Sequence, residues 1–321
     1  MSFVERVDRF QRKHPRAGLP IAIIYKFADD QGNYLAALIT YYGFLSLFPL
    51  LLLSSTITSF VLEGHPHLQQ QVLHSALGQV PIVGSQLSNP HGVSGSGLGL
   101  AIGILGTIYG GLGVTQAAQN AMNTIWRVPR NRRPNPIKGR GRGLLLLLIL
   151  GLSALGTTAL AALGSVATDY SVWSKIGIGL STLLVNVVVF TVAFQVATAR
   201  HLTREQTVPG ALIAAVCWLA LQYVGAVYVG HVVRNADEIN GVFAVVLGLI
   251  AWIYVEALVV VLAVEYNSVR SMGLYPRALL TPFTDDVDLT DADEENYAQQ
   301  AEAQRAKGFE DIAVRFDPPE R

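Results

Sequence analysis

Between Tyr34 and Leu62 there is no Asp, Glu, Lys or Arg, and from Glu63 to Ser96 there is no Lys or Arg. Charge is scarce throughout, with 14% of the 321 residues charged against 51% hydrophobic. That shortage excludes an ordinary water-surrounded domain and points to a polytopic membrane protein. Cysteine occurs once, at Cys217, which excludes an intrachain disulfide, and its apolar surroundings read as packing. Residues 1–30 lack a small-residue cleavage site after a long apolar core, which argues against a cleaved signal peptide.

Chemistry-bearing patterns are equally sparse. His65, His67, His74 and His91 share one segment, but none forms a helical pair and only Glu63 is near, so no metal and no cofactor are expected. A nucleophile triad, a phosphate-cradling glycine loop and a paired-carboxylate site are all missing. The expectation is a protein that is not an enzyme.

Six apolar runs remain, at 34–62, 97–123, 144–167, 176–199, 207–230 and 241–265. A bilayer core of roughly 30 Å takes about 20 helical residues to cross, and each run is long enough. Pro49 sits inside the first run and removes a backbone donor, which a membrane bundle tolerates when neighbours, or Ser46 one turn earlier, meet the freed carbonyl. Six crossings place both termini on one side. The alternating loops choose that side, because 21 of the 23 basic residues fall together and only Lys175 and Arg234 lie opposite. Short-loop Lys and Arg stay cytoplasmic.

The expected fold is therefore all-α, a six-helix membrane bundle with cytoplasmic termini. Residues 1–33 form a basic cytoplasmic segment, residues 34–270 the membrane domain, and residues 271–321 an acidic tail read as disordered, with room for one frayed helix. In that tail, residues 281–321 hold 12 acidic against 4 basic groups. The outer segment 63–96 repeats apolar residues at Leu68, Val72, Leu73, Leu77 and Val80, as in a short interfacial helix.

Inside the membrane domain, Gly99, Gly103, Gly106, Gly110, Gly113, Ala117 and Asn120 recur at steps of four and three, a small-residue face suited to close helix packing. Polar groups are few enough to name as candidates for a substrate path or polar cluster: Gln116, Asn120, Asn123, Asn186, Gln195, Gln222, Glu256 and Glu265. Glu256 lies near the middle of the last run, where a carboxylate either bonds an amide such as Asn186 or Gln222 or handles protons or substrate. Glu265 sits nearer the inner interface, where an inner-loop arginine is the expected partner. Gln119 joins the amides closing the second run. Amides beside Arg127, Arg130, Arg132 and Arg133 form a candidate site for a lipid headgroup phosphate.

With these residues in view, the chain resembles the YihY/BrkB family of bacterial inner-membrane proteins over about residues 20–270. The resemblance rests on AALITYYGFLSLFPLLLL, QNAMNTIWRVPR, LLVNVVVFTVAF, VPGALIAAVCWLALQYVGAVYV and GVFAVVLGLIAWIYVEALVVVLAVEYN. Residues matching the family pattern include Tyr41, Tyr42, Pro49, Asn120, Asn123 and Trp126, and further along Asn186, Pro209, Gly210, Trp218 and Glu265. At Glu256 the family usually has a small residue, so this carboxylate falls outside a shared mechanism.

The resemblance implies localisation in the bacterial inner membrane as a multi-pass protein, and a role in envelope integrity or serum resistance. Export of a lipid-like amphipathic substrate is its suggested activity, with membrane lipids as partners. The alternative is a non-catalytic membrane scaffold. The name ribonuclease BN has also been attached to the family, but residues 127–142 hold seven basic residues and no acid. A nuclease normally needs carboxylates to hold its metal, so no nucleic-acid partner is expected.

Overall fold

The computed structural model describes residues 3–61, 97–166, 172–232, 238–279, 281 and 287–316. These residues form helices and no strand, so the chain is all-α as expected. In chain order the helices are α1 (Phe3–Lys13), α2 (Leu19–Asp29), α3 (Gly32–Val61), α4 (Gly97–Ile125), α5 (Pro136–Val166), α6 (Val172–Ala197), α7 (Arg204–Val232), α8 (Glu238–Met272) and α9 (Asp291–Glu302). A 3₁₀ turn at Pro15–Gly18 joins α1 to α2. The interfacial helix expected within 63–96 lies outside the described residues.

Helices α3 to α8 span 26 to 35 residues each. Among the described residues three are long and apolar enough to cross a membrane, over Ile176–Ala197, Arg204–Gly225 and Val246–Met272. Over Ile176–Ala197 only Thr191, Phe194 and Ala197 are buried within the protein, with Leu180, Leu184 and Val188 turned outward. An apolar helix so little covered by its own protein needs lipid around it.

The glycine face of α4 packs on α3, the most extensive helix pair in the fold. A Cβ at Gly106 would lie 2.7 Å from Pro49 Cβ, and one at Gly110 would lie 2.7 Å from Ser46 Cα. Backbone therefore approaches backbone here, which only a residue without a side chain permits. Gly110→Leu is expected to lower the yield of monodisperse protein sharply, since overpacking of this kind costs about 1–3 kcal/mol or more. Leucine at the exposed Ile104 should be tolerated. Equal losses at both positions would reduce the stripe to mere composition.

The two helix-interior prolines are accommodated differently. Near Pro49 the Ser46 hydroxyl donates to the Gly43 carbonyl at 2.8 Å, not to the carbonyl of Leu45 that the proline leaves. Pro209 in α7 frees the Glu205 carbonyl, which accepts from Arg270 Nη1 of α8 at 3.2 Å. The next turn is held by Asn267, which accepts from the Gly210 N–H at 2.7 Å and donates to the Thr207 carbonyl at 2.9 Å. A Cβ at Gly210 would fall 2.2 Å from the Ala263 carbonyl oxygen.

One end of the bundle, the basic end, gathers α2, the ends of α4, α6 and α8, and the starts of α5 and α7. Gln119 near the end of α4 donates to the Gly139 carbonyl of α5 at 3.1 Å, and Asn123 accepts from the Ala199 N–H just beyond α6 at 2.7 Å. The apolar core sits at this end around Leu35, Ile125, Trp126, Phe194, Ala214 and Val261.

Within the acidic tail, where one frayed helix is the most the composition allows, residues Asp291–Glu302 form a capped helix. Thr290 caps α9 with a reciprocal box: its hydroxyl accepts from the Asp293 N–H at 3.2 Å while Asp293 accepts from the Thr290 N–H at 2.9 Å. Asp291, Asp293 and Glu294 crowd the first turn, where the helix dipole favours negative charge. Acidity that suggests disorder when read as composition thus serves as helix-start chemistry. The segment entering α9 is tied to α1, because Asp8 accepts from Leu279 N–H at 3.1 Å, Gln11 Nε2 at 2.9 Å and Arg12 Nε at 2.6 Å. Burial alone would raise the Asp8 carboxyl, but these hydrogen bonds and the Arg12 charge hold it below its usual range.

Candidate functional site

Residue 26 is a lysine in the apolar stretch LPIAIIYKFAD that forms α2. Its side chain is fully buried, and all three of its ammonium donors are used: on Asp30 Oδ2 at 2.6 Å, on the Ile125 carbonyl at 2.9 Å and on Glu265 Oε2 at 3.0 Å. Two of these acceptors follow from helix geometry. Asp30 lies one turn beyond Lys26, and the Ile125 carbonyl is an open acceptor at the C-terminus of α4, where the dipole favours a cation. Ser268 of α8 donates to the same carbonyl at 2.9 Å.

Arg127 completes the cluster. Its φ of 53° turns the chain sharply just after α4, and its Nη1 lies 2.5 Å from Asp30 Oδ1, an ion-pair contact not aligned as a hydrogen bond. Lys26, Asp30, Glu265 and Arg127 together bring two basic and two acidic groups into contact, with side chains 5% exposed or less. Among the described residues, Glu265 Oε1 and Asp30 Oδ1 find no hydrogen-bond donor.

A second set of charges joins the first to the tail. Arg127 Nη2 donates to Asn296 Oδ1 of α9 at 2.8 Å, and Asn296 Nδ2 donates to Asp29 at 3.0 Å. Arg277 donates to Asp29 at 3.1 Å and, through Nε, to Asp293, while its guanidinium lies over the Tyr297 ring. Burial works against the Arg277 charge, but the hydrogen bond to Asp293 and the two carboxylates raise its pKa above the ordinary value. Asp293 also accepts from the Ala278 N–H at 2.8 Å.

The expected site residues scatter around this network. Glu265 belongs to it, but its ion-pair partner is Lys26 of the N-terminal segment and not an inner-loop arginine. Glu256 is half-buried and accepts from Trp252 Nε1 at 2.7 Å, one turn earlier on its own helix, not from Asn186 or Gln222. Those two amides are half-buried on α6 and α7. Gln195 donates to the Leu202 carbonyl at 3.3 Å and to Thr207 at 3.4 Å, closing the connection from α6 to α7. Gln116 is exposed.

The arginines expected to hold a headgroup divide. Arg127 is committed to Asp30 and Asn296. Arg133 donates to the Val128 carbonyl at 3.2 Å and to Asn120 at 3.1 Å, so the loop and the amide satisfy each other. Arg130 and Arg132 are exposed. The four do not converge on a common anion site.

Sequence reasoning missed Lys26, Asp30, Arg277, Asp293 and Asn296. Lys26 does carry a signal, a lone cation within an apolar helical stretch, beyond its weight in the sidedness of the loops. Among the described residues no three His, Cys, Asp or Glu side chains are grouped to hold a metal ion.

Comparison with known proteins places this geometry in context. A family model described as Virulence factor BrkB matches residues 23–278. The chain is 25% identical over 260 residues to the ribonuclease-like protein YfkH of Bacillus subtilis (strain 168), covering 76% of this chain and 91% of that one. It is 26% identical over 271 residues to the inner membrane protein YhjD of Escherichia coli (strain K12), covering 77% and 79% respectively. No solved structure matches.

Proposed function

Because the chain belongs to the Virulence factor BrkB family, we propose that it is a six-span protein of the bacterial inner membrane, with both termini cytoplasmic, that moves a lipid-like amphipathic substrate for the envelope. The alternation of helix ends supports the six crossings. Ends of α4, α6 and α8 meet starts of α5 and α7 at the basic end, which the positive-inside rule assigns to the cytoplasm.

The observation carrying the transport reading is the buried cluster of Lys26, Asp30, Glu265 and Arg127 at the inner end of α8. Four enclosed charges with acceptor atoms left unpaired are a poor way to stabilise a bundle, since well-packed apolar residues usually do as well or better. A charge cluster that must part and re-form gives the arrangement a purpose: it closes the inner mouth between α2, α4 and α8. On this reading the protein acts without chemistry on its substrate, and the acid-free loop at 127–142 speaks against RNA cleavage there.

The scaffold reading draws support from a different observation. Gln119, Asn123 and Gln195 are each closed into a bond between neighbouring segments, as a static assembly would require.

Movement of labelled phospholipid between leaflets of vesicles holding the purified protein separates the two. Transport predicts wild-type movement well above empty vesicles and a loss of about tenfold or more in folded Glu265→Gln, which unbalances the gate charges. Glu256→Gln should move lipid normally, because the amide still accepts from Trp252. Absence of movement by the wild type would leave the scaffold standing.

A further inference from the structure

A cleft of about 600 Å³ opens at the basic end, between the 3₁₀ turn at Pro15–Gly18 and the facing ends of α7 and α8. Two guanidiniums line it, those of Arg16 and Arg270, and among the described residues neither is in an ion pair. Among the described residues Glu205 is the one carboxylate on its wall. The lining therefore carries a net single positive charge.

Arg270 is held in place by its bond to the Glu205 carbonyl, the acceptor that Pro209 leaves free, and this single contact engages only one of its five N–H groups. Ser271 accepts from Gln206 Nε2 at 2.9 Å, so its own hydroxyl proton is still available to donate into the cleft. Tyr266 and Tyr275 add aromatic walls with polar tips. Tyr266, Arg270 and Ser271 occupy the last turns of the apolar segment Val246–Met272, which sets the cleft at the depth where bilayer headgroups lie.

We propose that this cleft binds a phosphate-bearing anion, with an anionic phospholipid headgroup as its natural source. Guanidinium forks match phosphate oxygens in pairs, and basic pockets at the inner end of membrane helices are suited to lipid headgroups. The single net charge suits a phosphodiester, which carries one negative charge near neutral pH, better than free phosphate, a substantial part of which is doubly charged there, because Glu205 opposes the second charge. The site stands apart from the transport reading: a headgroup bound here anchors the protein whether or not any lipid is moved.

Calorimetric titration of the full-length protein in neutral detergent tests the proposal, using dioctanoyl phosphatidylglycerol, dioctanoyl phosphatidylcholine and inorganic phosphate as separate probes. The phosphatidylglycerol is expected to bind with clear preference over the phosphatidylcholine. Arg16→Gln and Arg270→Gln should each weaken it about tenfold, the usual worth of one charge-assisted contact. Lys138→Gln with Arg140→Gln, on the exposed start of α5, should leave it unchanged. Arg270 also supports α7, so Arg16→Gln keeps the comparison readable if the Arg270 variant does not fold. Inorganic phosphate that binds, and is lost in the same variants, would support the site while moving its source to a soluble phosphate. Equal binding of both lipids, undiminished binding in Arg16→Gln, or equal loss in the α5 control would overturn it.

Discussion

Replacing Lys26 by methionine is expected to remove most of the folded protein. The substitution keeps the volume and apolar stem of the side chain but leaves Asp30 and Glu265 enclosed with Arg127 as their one cation. Breaking a buried ion pair from one side costs about 3–5 kcal/mol, because the remaining charge can neither reach water nor find a new partner. Total stabilities of about 5–15 kcal/mol leave little margin for that loss. The double change Lys26→Met with Glu265→Leu restores charge balance, with Asp30 and Arg127 still paired, and should recover much of the yield. Thermal melting in detergent and the yield of monodisperse protein measure both. A single Lys26→Met variant that melts with the wild type would show that the cluster is not enclosed in the working protein.

Substitution of Arg277 by leucine is expected to release α9 from the bundle. Arg277 is fully buried and neutralises Asp293 and Asp29, so its loss leaves two carboxylates without their shared cation, again about 3–5 kcal/mol by the same reasoning. Some of that is recovered when α9 swings into water and takes Asp293 with it, so the visible consequence should be detachment, with the membrane helices intact. Limited proteolysis reads this directly: the tail of the wild type should resist cleavage around Thr290 and that of Arg277→Leu should be cut rapidly. Deleting residues 287–321 should lower the melting temperature of the remainder, since Arg127 then loses Asn296. Equal protease resistance in wild type and variant would mean that the tail is held by something other than these charges.

The glycine face of α4 was readable from spacing, because residues three and four apart share a helix face wherever the helix goes. Its partner was not, since nothing in the spacing distinguishes Tyr42, Ser46 and Pro49 of α3 from any other helix surface. The carboxylate of Glu265 could be marked as costly from its position alone, whereas its partner lies 239 residues away. Glu256 shows the converse. A carboxylate at membrane depth demands a partner, and a tryptophan one turn earlier supplies it locally, with no distant amide involved.

The tail makes the same division clear. Composition suggested disorder because twelve acidic groups repel one another in an unfolded chain. The helix forms because Thr290 and Asp293 cap each other, and it stays docked because Arg277, 16 residues from Asp293 in sequence, supplies the opposite charge and Arg127, 169 from Asn296, a hydrogen bond to its amide. What the sequence by itself determined is the all-helical, lipid-facing character of the chain, the gathering of its basic residues at one end and the small-residue face of α4, since hydrophobic length, charge placement and helical period are local properties. Only the tertiary structure decided which of those charges face solvent and which neutralise one another inside. Ion pairing acts across space, over a few ångströms, between residues whose separation along the chain carries no trace of it.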